Sequence, residues 1–258
     1  MSEVGLQQAI RAAGGVTELA RRIGVSQPSV SNWRRVPAER VLAVETVTGV
    51  SRAVLRPDLY DENNAVDAGD DVDRARAEIY ALLGTLLTRA PDAELLKRIA
   101  VLRGDATTLG MACIDLAEAA HGADAVKLDR EYFDLFIGIG RGELLPYASY
   151  YLTGFLHERP LARLRADLAQ FGIERAEGVA EPEDHAGILC EIMAGIAGKQ
   201  FPAPPESGRT IFEKHMAPWI GRFFSDLEGA EAANFYRRVG TLGRVFVDIE
   251  TTAFALPS

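Results

Sequence analysis

The stretch VDRARAEIYALLGTLLTR, residues 72–89, sets Ile79, Leu82, Leu83, Leu86 and Leu87 on one stripe of a 3.6-residue period. That spacing predicts an amphipathic helix, because a half-buried strand needs an apolar residue at every second position. AELLKRIAVL (93–102), TTLGMACIDLAEAAH (107–121) and AVKLDREYFDLFIG (125–138) carry the same period downstream. So do the aromatic-rich stretches FEKHMAPWIGRFFSDL (212–227) and EAANFYRRVGTLGRVFVDIETTAF (231–254). No stretch joins two-residue alternation to β-branched enrichment, and no repeat of fixed length emerges. Pro and Gly interrupt the pattern at GIGRGELLP (138–146), FGIERAEGVAEP (171–182) and GKQFPAPPESG (198–208), the last reading as a long exposed crossing. The expected class is all-α, with about ten helices between residues 74 and 258.

Outward from that region, 258 residues favour two domains, and 48% apolar with 25% charged residues is ordinary for a globular chain. Glu3, Gln7, Gln8 and Arg11 break up the N-terminus, so neither a signal peptide nor a membrane anchor is expected and the chain is expected to stay in the cytoplasm. Cys113 and Cys190, without paired spacing, predict no disulfide framework and no zinc cluster but two buried, reduced thiols. Charge divides the chain further. Residues 1–60 hold eight Arg against five acids, a net of +3, whereas DENNAVDAGDDVD (61–73) holds six acids and no base. A short acidic stretch with scattered Gly and Asn has the composition of a flexible linker. The expected domains are therefore 1–60, a linker at 61–73, and 74–258.

In the first piece, helical spacing recurs at Leu6, Ile10 and Ala13, at Leu19, Ala20 and Ile23, and from Val41 to Val47. Within TELARRIGVSQPSVSNWRR (17–35), Thr17 is placed to cap a helix ending at Gly24, and Ser26 to cap a second helix with Pro28 in its first turn. Val25, Val30 and Trp33 face inward, leaving Gln27, Ser29, Ser31, Asn32, Arg34 and Arg35 outward. Amides suit adenine edges and guanidinium groups suit guanine or phosphate, so this face has the chemistry of a major-groove reader of double-stranded DNA. With VPAERVLAVETVTGVSRAVLRPDLY (36–60) the segment resembles the small Cro-like or YdaS-like helix-turn-helix domains. A net of +3 is a weak electrostatic footprint for DNA binding, and such modules also occur as purely structural parts.

EYFDLFIGIGRGELLPYASYY (131–151), EPEDHAGILCEIM (181–193) and HMAPWIGRFFSDLEGAEAANFYRRVGTLGRVFVDIE (215–250) stand in the order of the signature segments of the TorD/DmsD family, which the chain resembles over residues 74–252. Gly138-Ile139-Gly140 and Leu145-Pro146-Tyr147 depart from that family's Gly-Pro-Gly and Pro-Pro-Tyr. The resemblance implies an all-helical, cytoplasmic, non-enzymatic chaperone without a cofactor of its own. Its partners would be the twin-arginine signal peptide and the apo form of a molybdenum redox enzyme, a formate dehydrogenase being one such client. It also implies a peptide site at Tyr147, Tyr150, Tyr151, Glu181, Asp184 and His185.

Residue chemistry alone leaves EPEDH open. Pro182 in a first turn, with Glu181, Glu183 and Asp184 near the positive end of a helix dipole, needs no function. Ile188, Leu189, Ile192, Met193 and Ile196 behind it are most simply core, as Tyr150, Tyr151, Trp219, Phe223 and Phe224 are elsewhere. Asp184 and His185 project about 100° apart on a helix, which disfavours a shared metal ion, and there is no nucleophile elbow for hydrolysis. Carboxylates beside an apolar wall do suit a guanidinium-bearing peptide. Two functions follow as expectations: a maturation chaperone, or a transcription regulator whose helical domain senses a peptide or holds a homodimer.

Overall fold

Residues 3–60, 62–174 and 181–256 are described by the computed structural model, and their helical spacing is realised as sixteen α-helices. The chain divides between Asp73 and Arg74 into two units.

The smaller unit contains α1 (Glu3–Ala13), α2 (Val16–Arg22), α3 (Gln27–Ser31), α4 (Val41–Thr48), α5 (Arg52–Leu55) and α6 (Pro57–Tyr60). Leu6 and Ala9 from α1, Leu19 and Ala20 from α2, Val30 from α3 and Val44 from α4 meet in one small core. Ser26 caps α3 as expected, its hydroxyl accepting from the Ser29 N–H, with Pro28 in the first turn. Two details correct the sequence reading. Thr17 lies inside α2, whose N-cap is Gly15 at φ 123°, a left-handed turn that starts the helix directly after α1. And α3 ends at Ser31 instead of continuing through Arg35. Asn32 is its C-cap, and the wholly buried Val36 precedes Pro37, which disfavours helical backbone at residue 36. Arg56, counted among the positive charges, is itself buried, donating to the Val36 carbonyl at 2.9 Å and to Asp58 at 2.7 Å.

Helix α7 runs from Glu62 to Thr88, so the segment expected as an irregular linker is helical from Glu62 onward; Asp61 lies outside the described residues. Acids at a helix start are favoured by its dipole, and extending a helix already held by its apolar stripe costs far less than nucleating one. The others are α8 (Ala93–Ile99), α9 (Thr108–His121), α10 (Ala125–Tyr132), α11 (Ala148–Thr153), α12 (Arg159–Gln170), α13 (Ala186–Ala197), α14 (Ser207–Ile211), α15 (Ile220–Gly229) and α16 (Phe235–Ala255). Leu83, Leu86 and Leu87 of α7 are buried with Trp219, Phe223 and Phe224, and Ile79 and Leu82 pack at the margin. Cys190 is buried, while Cys113 is only half-buried, against expectation, because it sits at the edge of the α9 face. Helix ends are satisfied from far along the chain. The Tyr236 and Tyr132 hydroxyls donate to the Leu86 and Leu87 carbonyls at 2.9 and 3.2 Å. Glu131 accepts from the Asn234 and Tyr236 N–H groups, both at 2.8 Å, at the start of α16.

A π-helical turn, Phe133–Ile137, follows α10, and Gly138 at φ 62° reverses the chain where any side chain would meet the Arg141 carbonyl. The Leu144 N–H bonds back to the Leu135 carbonyl at 2.8 Å, so residues 138–147 double back and Pro146 and Tyr147 are delivered to the start of α13. Ile139, where the resembled family has proline, is 96% exposed. Among the described residues no strand forms; Tyr147 and His185 make a single antiparallel bridge. No helix among them is long and apolar enough to cross a membrane. The break at 171–182 falls outside the described residues at 175–180.

Candidate functional site

Two short segments build the site. The Ala148 N–H donates to the Asp184 carbonyl at 2.9 Å and the Ala186 N–H to the Pro146 carbonyl at 2.7 Å, clamping the starts of α11 and α13 together. Against α7, α13 approaches through Gly187 and Gly84; a side chain on Gly187 would strike Thr88. That close crossing fixes where the residues before α13 emerge.

Helix α13 starts later than its sequence suggests. Ala186 is its first residue and His185 its N-cap, the imidazole Nδ1 accepting from the Gly187 N–H at 3.0 Å. Glu181, Pro182, Glu183 and Asp184 therefore form a turn ahead of the helix and not its first turn, because His185 takes the capping role that Asp184 would otherwise fill. Asp184 instead serves a different helix. It is 1% exposed, and its Oδ2 accepts from the Ser149 N–H at 2.9 Å and from the buried Ser149 hydroxyl, capping α11. Burial pushes the His185 imidazole down to about 4, with Glu181 and Asp184 opposing, so it is neutral near pH 7.

The Tyr147 hydroxyl donates to Glu181 Oε2 at 2.7 Å, and its ring meets His185 edge-on with centroids 5.0 Å apart. Burial and the adjacent carboxylate push the Tyr147 phenol well above its ordinary range, so it remains a donor. Tyr147, Glu181, Pro182 and Asp184 line a hollow of about 230 Å³ with Leu156 and His157. Four of the six expected site residues thus come together: Tyr147 and Glu181 at the surface, Asp184 and His185 beneath.

Tyr150 and Tyr151 go elsewhere. They line a separate hollow of about 480 Å³ with Arg141, Arg222 and Asp226; both lie within α11, whereas Tyr147 is its N-cap in extended backbone and so does not follow the helix's periodicity. The Tyr151 hydroxyl donates to Asp226 at 2.9 Å while its ring packs on Trp219, with centroids 5.3 Å apart. A third hollow, about 540 Å³, is lined by Leu152, Arg163, Asp167, Lys214 and His215. There the buried His215 pairs with Asp167 at 2.8 Å. No sequence signal marked that pair, since its members lie 48 positions apart in unrelated helices. Leu152, Phe155 and Leu156, at 43%, 69% and 40% exposure, form an apolar tip where α11 ends.

The carboxylates around α11 differ in what neutralises them. Asp226 faces Arg222, Glu213 pairs with Arg209, Asp167 with Lys214 and His215, and Glu183 with Arg165. Both Glu143 oxygens accept from the Glu231 and Ala232 N–H groups. Glu181 has no ion pair among the described residues; only the Tyr147 hydroxyl holds it. No group of three or more metal-ligating side chains is found among the described residues.

Residues 103–225 match the family model described as the nitrate reductase delta subunit. Relatives named chaperone protein TorD are also similar to this chain. One from Vibrio cholerae serotype O1 is 26% identical over 131 residues, covering 47% of this chain and 60% of the relative. The larger unit is TorD-like. A TorD from Aliivibrio fischeri is 25% identical over 203 residues, covering 70% of this chain and 94% of its own, and one from Shewanella loihica is 24% identical over 203 residues, covering 70% and 93%. Against the first Vibrio relatives the chain spans 60% of their length. By name these relatives are chaperones and not catalysts. Residues 6–64, the smaller unit, match the model described as bacterial toxin YdaS. A crystal structure of a provisionally named redox enzyme maturation protein from Archaeoglobus fulgidus gives a TM-score of 0.47 at 20% identity, covering 69% of this chain and 93% of that one.

Proposed function

We propose that the chain is a cytoplasmic chaperone that holds a redox enzyme through a leader bearing two adjacent arginines, keeping the apo-enzyme until its molybdenum cofactor is in place. The observation that carries this reading is Glu181, a carboxylate without an ion pair among the described residues, oriented by Tyr147 at the mouth of a hollow whose wall includes Leu156 and Pro182. Its unused lone pairs suit the paired N–H groups of a guanidinium, which an ammonium cannot match in the same geometry. The TorD relatives lend the chaperone class, and a formate dehydrogenase belongs to the range of clients. Titration of the full chain with a twin-arginine peptide and its twin-lysine version tests it. The arginine peptide is expected to bind about tenfold tighter or better, and Glu181→Gln to remove most of that difference. Equal affinities in the wild type would overturn the reading.

A second activity, sequence-selective binding of duplex DNA, is favoured by the outward face of the smaller unit. Gln27, Ser29, Ser31, Asn32 and Arg34 are all exposed along α3 and just after it. Arg35, exposed as well, is tied to Asp58 at 3.3 Å, and Arg21, Arg22 and Arg52 pair with Glu18 and Glu45. Arg34 carries no ion pair among the described residues, which makes it the available cation beside α3. Whole chain titrated with the duplex upstream of its own gene is expected to bind more tightly than to scrambled duplex. Arg34→Ala should lower affinity and flatten the slope of log affinity against log salt by about one. Identical affinity for both duplexes would leave the module a structural part.

A further inference from the structure

Among the described residues, only His157 and Lys199 combine a side chain with left-handed backbone, at φ 59° and 52°. That conformation is costly for any residue with a Cβ. Lys199 has an evident cause. It follows Gly198, the C-cap of α13, and its N–H bonds to the Ile196 carbonyl while the Gln200 N–H bonds to that of Gly195, the paired closure that ends many helices. His157 closes no helix. Gly154 has already ended α11 at φ 84°, and Glu158 begins α12 as its N-cap.

Nothing within the fold offsets the strain at His157 either. The side chain is exposed and makes no hydrogen bond, ion pair or ring contact among the described residues. What it does is line the hollow of about 230 Å³ that Glu181 and Tyr147 share. The Tyr147 ring is already engaged there, edge-on to His185 and with its hydroxyl on Glu181, so the imidazole of His157 is the ring left available to an occupant. Strained residues without an internal partner gather where ligands bind.

We infer that His157 is a specificity-determining residue of this site, its imidazole face stacking on the plane of an arginine guanidinium whose N–H edge is held by Glu181. This rests on the leader reading of Glu181 and adds a second contact to it. A guanidinium offers donors along its edge but only weakly hydrated faces, which a flat ring suits. An ammonium has no such face, so it gains the carboxylate and not the ring. Left-handed backbone at His157 is then the cost of turning that ring into the hollow.

The test uses the full chain with a twin-arginine peptide and its twin-lysine version, followed by fluorescence anisotropy. Glycine occupies φ 59° without strain, so His157→Gly keeps the turn and removes only the ring. It is expected to lower affinity for the arginine peptide about two- to fivefold and leave that for the lysine peptide unchanged. His157→Asn, which also tolerates left-handed backbone and carries no ring, should do the same. In a Glu181→Gln background the loss from His157→Gly should vanish, because the ring has nothing to stack on unless the carboxylate holds the plane. If both ringless variants keep wild-type affinity for arginine, or weaken both peptides equally, while Glu181→Gln still abolishes discrimination, the His157 proposal falls and the leader reading stands. An undiminished loss in the Glu181→Gln background would also overturn it, since the ring would then act apart from that site. If wild type binds the arginine and lysine peptides equally, the leader reading falls and takes this proposal with it.

Discussion

The Glu250→Ala variant is expected to melt roughly 6–12 °C below wild type, about 3 kcal/mol at 2–4 °C per kcal/mol for a unit of this size. Glu250 is 1% exposed on α16, and the Arg76 Nε and Nη2 groups each donate to it at 2.8 Å from α7. The buried Tyr80 hydroxyl donates to the same carboxylate at 2.8 Å. Burial, with Glu250 adding to it, pushes the Tyr80 phenol far up, so it stays protonated and needs an acceptor. Alanine removes the acceptor for all three donors at once and leaves a void beneath them. The figure belongs at the low end for breaking a buried pair, because the Arg76 side chain keeps 23% exposure and reaches water. Pairing Glu250→Leu with Arg76→Met should recover most of the loss, since apolar residues of similar volume replace a buried ion pair at little cost. An unchanged melting temperature in the alanine variant would show that the α7–α16 junction does not depend on this carboxylate.

That junction also marks where the sequence stops being legible. The stripe Leu83, Leu86 and Leu87 is periodic, and periodicity is a local signal, so the all-helical class and its apolar faces follow from it. Tyr80 and Glu250 are 170 positions apart, and nothing in either neighbourhood announces the other. The same holds at the site. Tyr147 and Glu181 resemble a family's peptide-binding positions and do meet, 34 positions apart. Tyr150 and Tyr151 resemble them equally, yet they lie inside α11 and line another hollow, while Tyr147 stays in extended backbone at its N-cap. Which residue caps which helix was hidden too. His185 is a less favoured cap than Asp184, and the preference inverts because Asp184 is claimed by Ser149 of α11. Capping propensities rank residues along one helix and say nothing of a neighbour competing for the same carboxylate. For α7, composition suggested a linker where an apolar stripe downstream extends the helix back to Glu62.

Asp184→Ala is the second large effect, expected to cost about 2–4 kcal/mol and to lower affinity for the arginine leader together with stability. Ser149 is wholly buried, so losing Asp184 strands both its N–H and its hydroxyl away from water. Helix α11 has six residues and cannot hold its own start once that cap is gone, and Tyr147 is its N-cap residue. Glu181 would then lose the hydroxyl that orients it. Asp184 borders two hollows yet shows 1% of its surface, which makes it a positioning residue and not a guanidinium ligand. Asp184→Asn separates these roles, because its carbonyl oxygen still accepts from Ser149 while its charge is gone. If Asp184 only positions, the asparagine variant should lose about 1 kcal/mol of stability and keep near wild-type preference for arginine over lysine peptides. Glu181→Gln should show the opposite pattern, with stability nearly unchanged and the preference gone. An asparagine variant that stays stable but no longer distinguishes arginine from lysine would place Asp184 in direct contact with the leader, and the buried carboxylate would have to open to reach it.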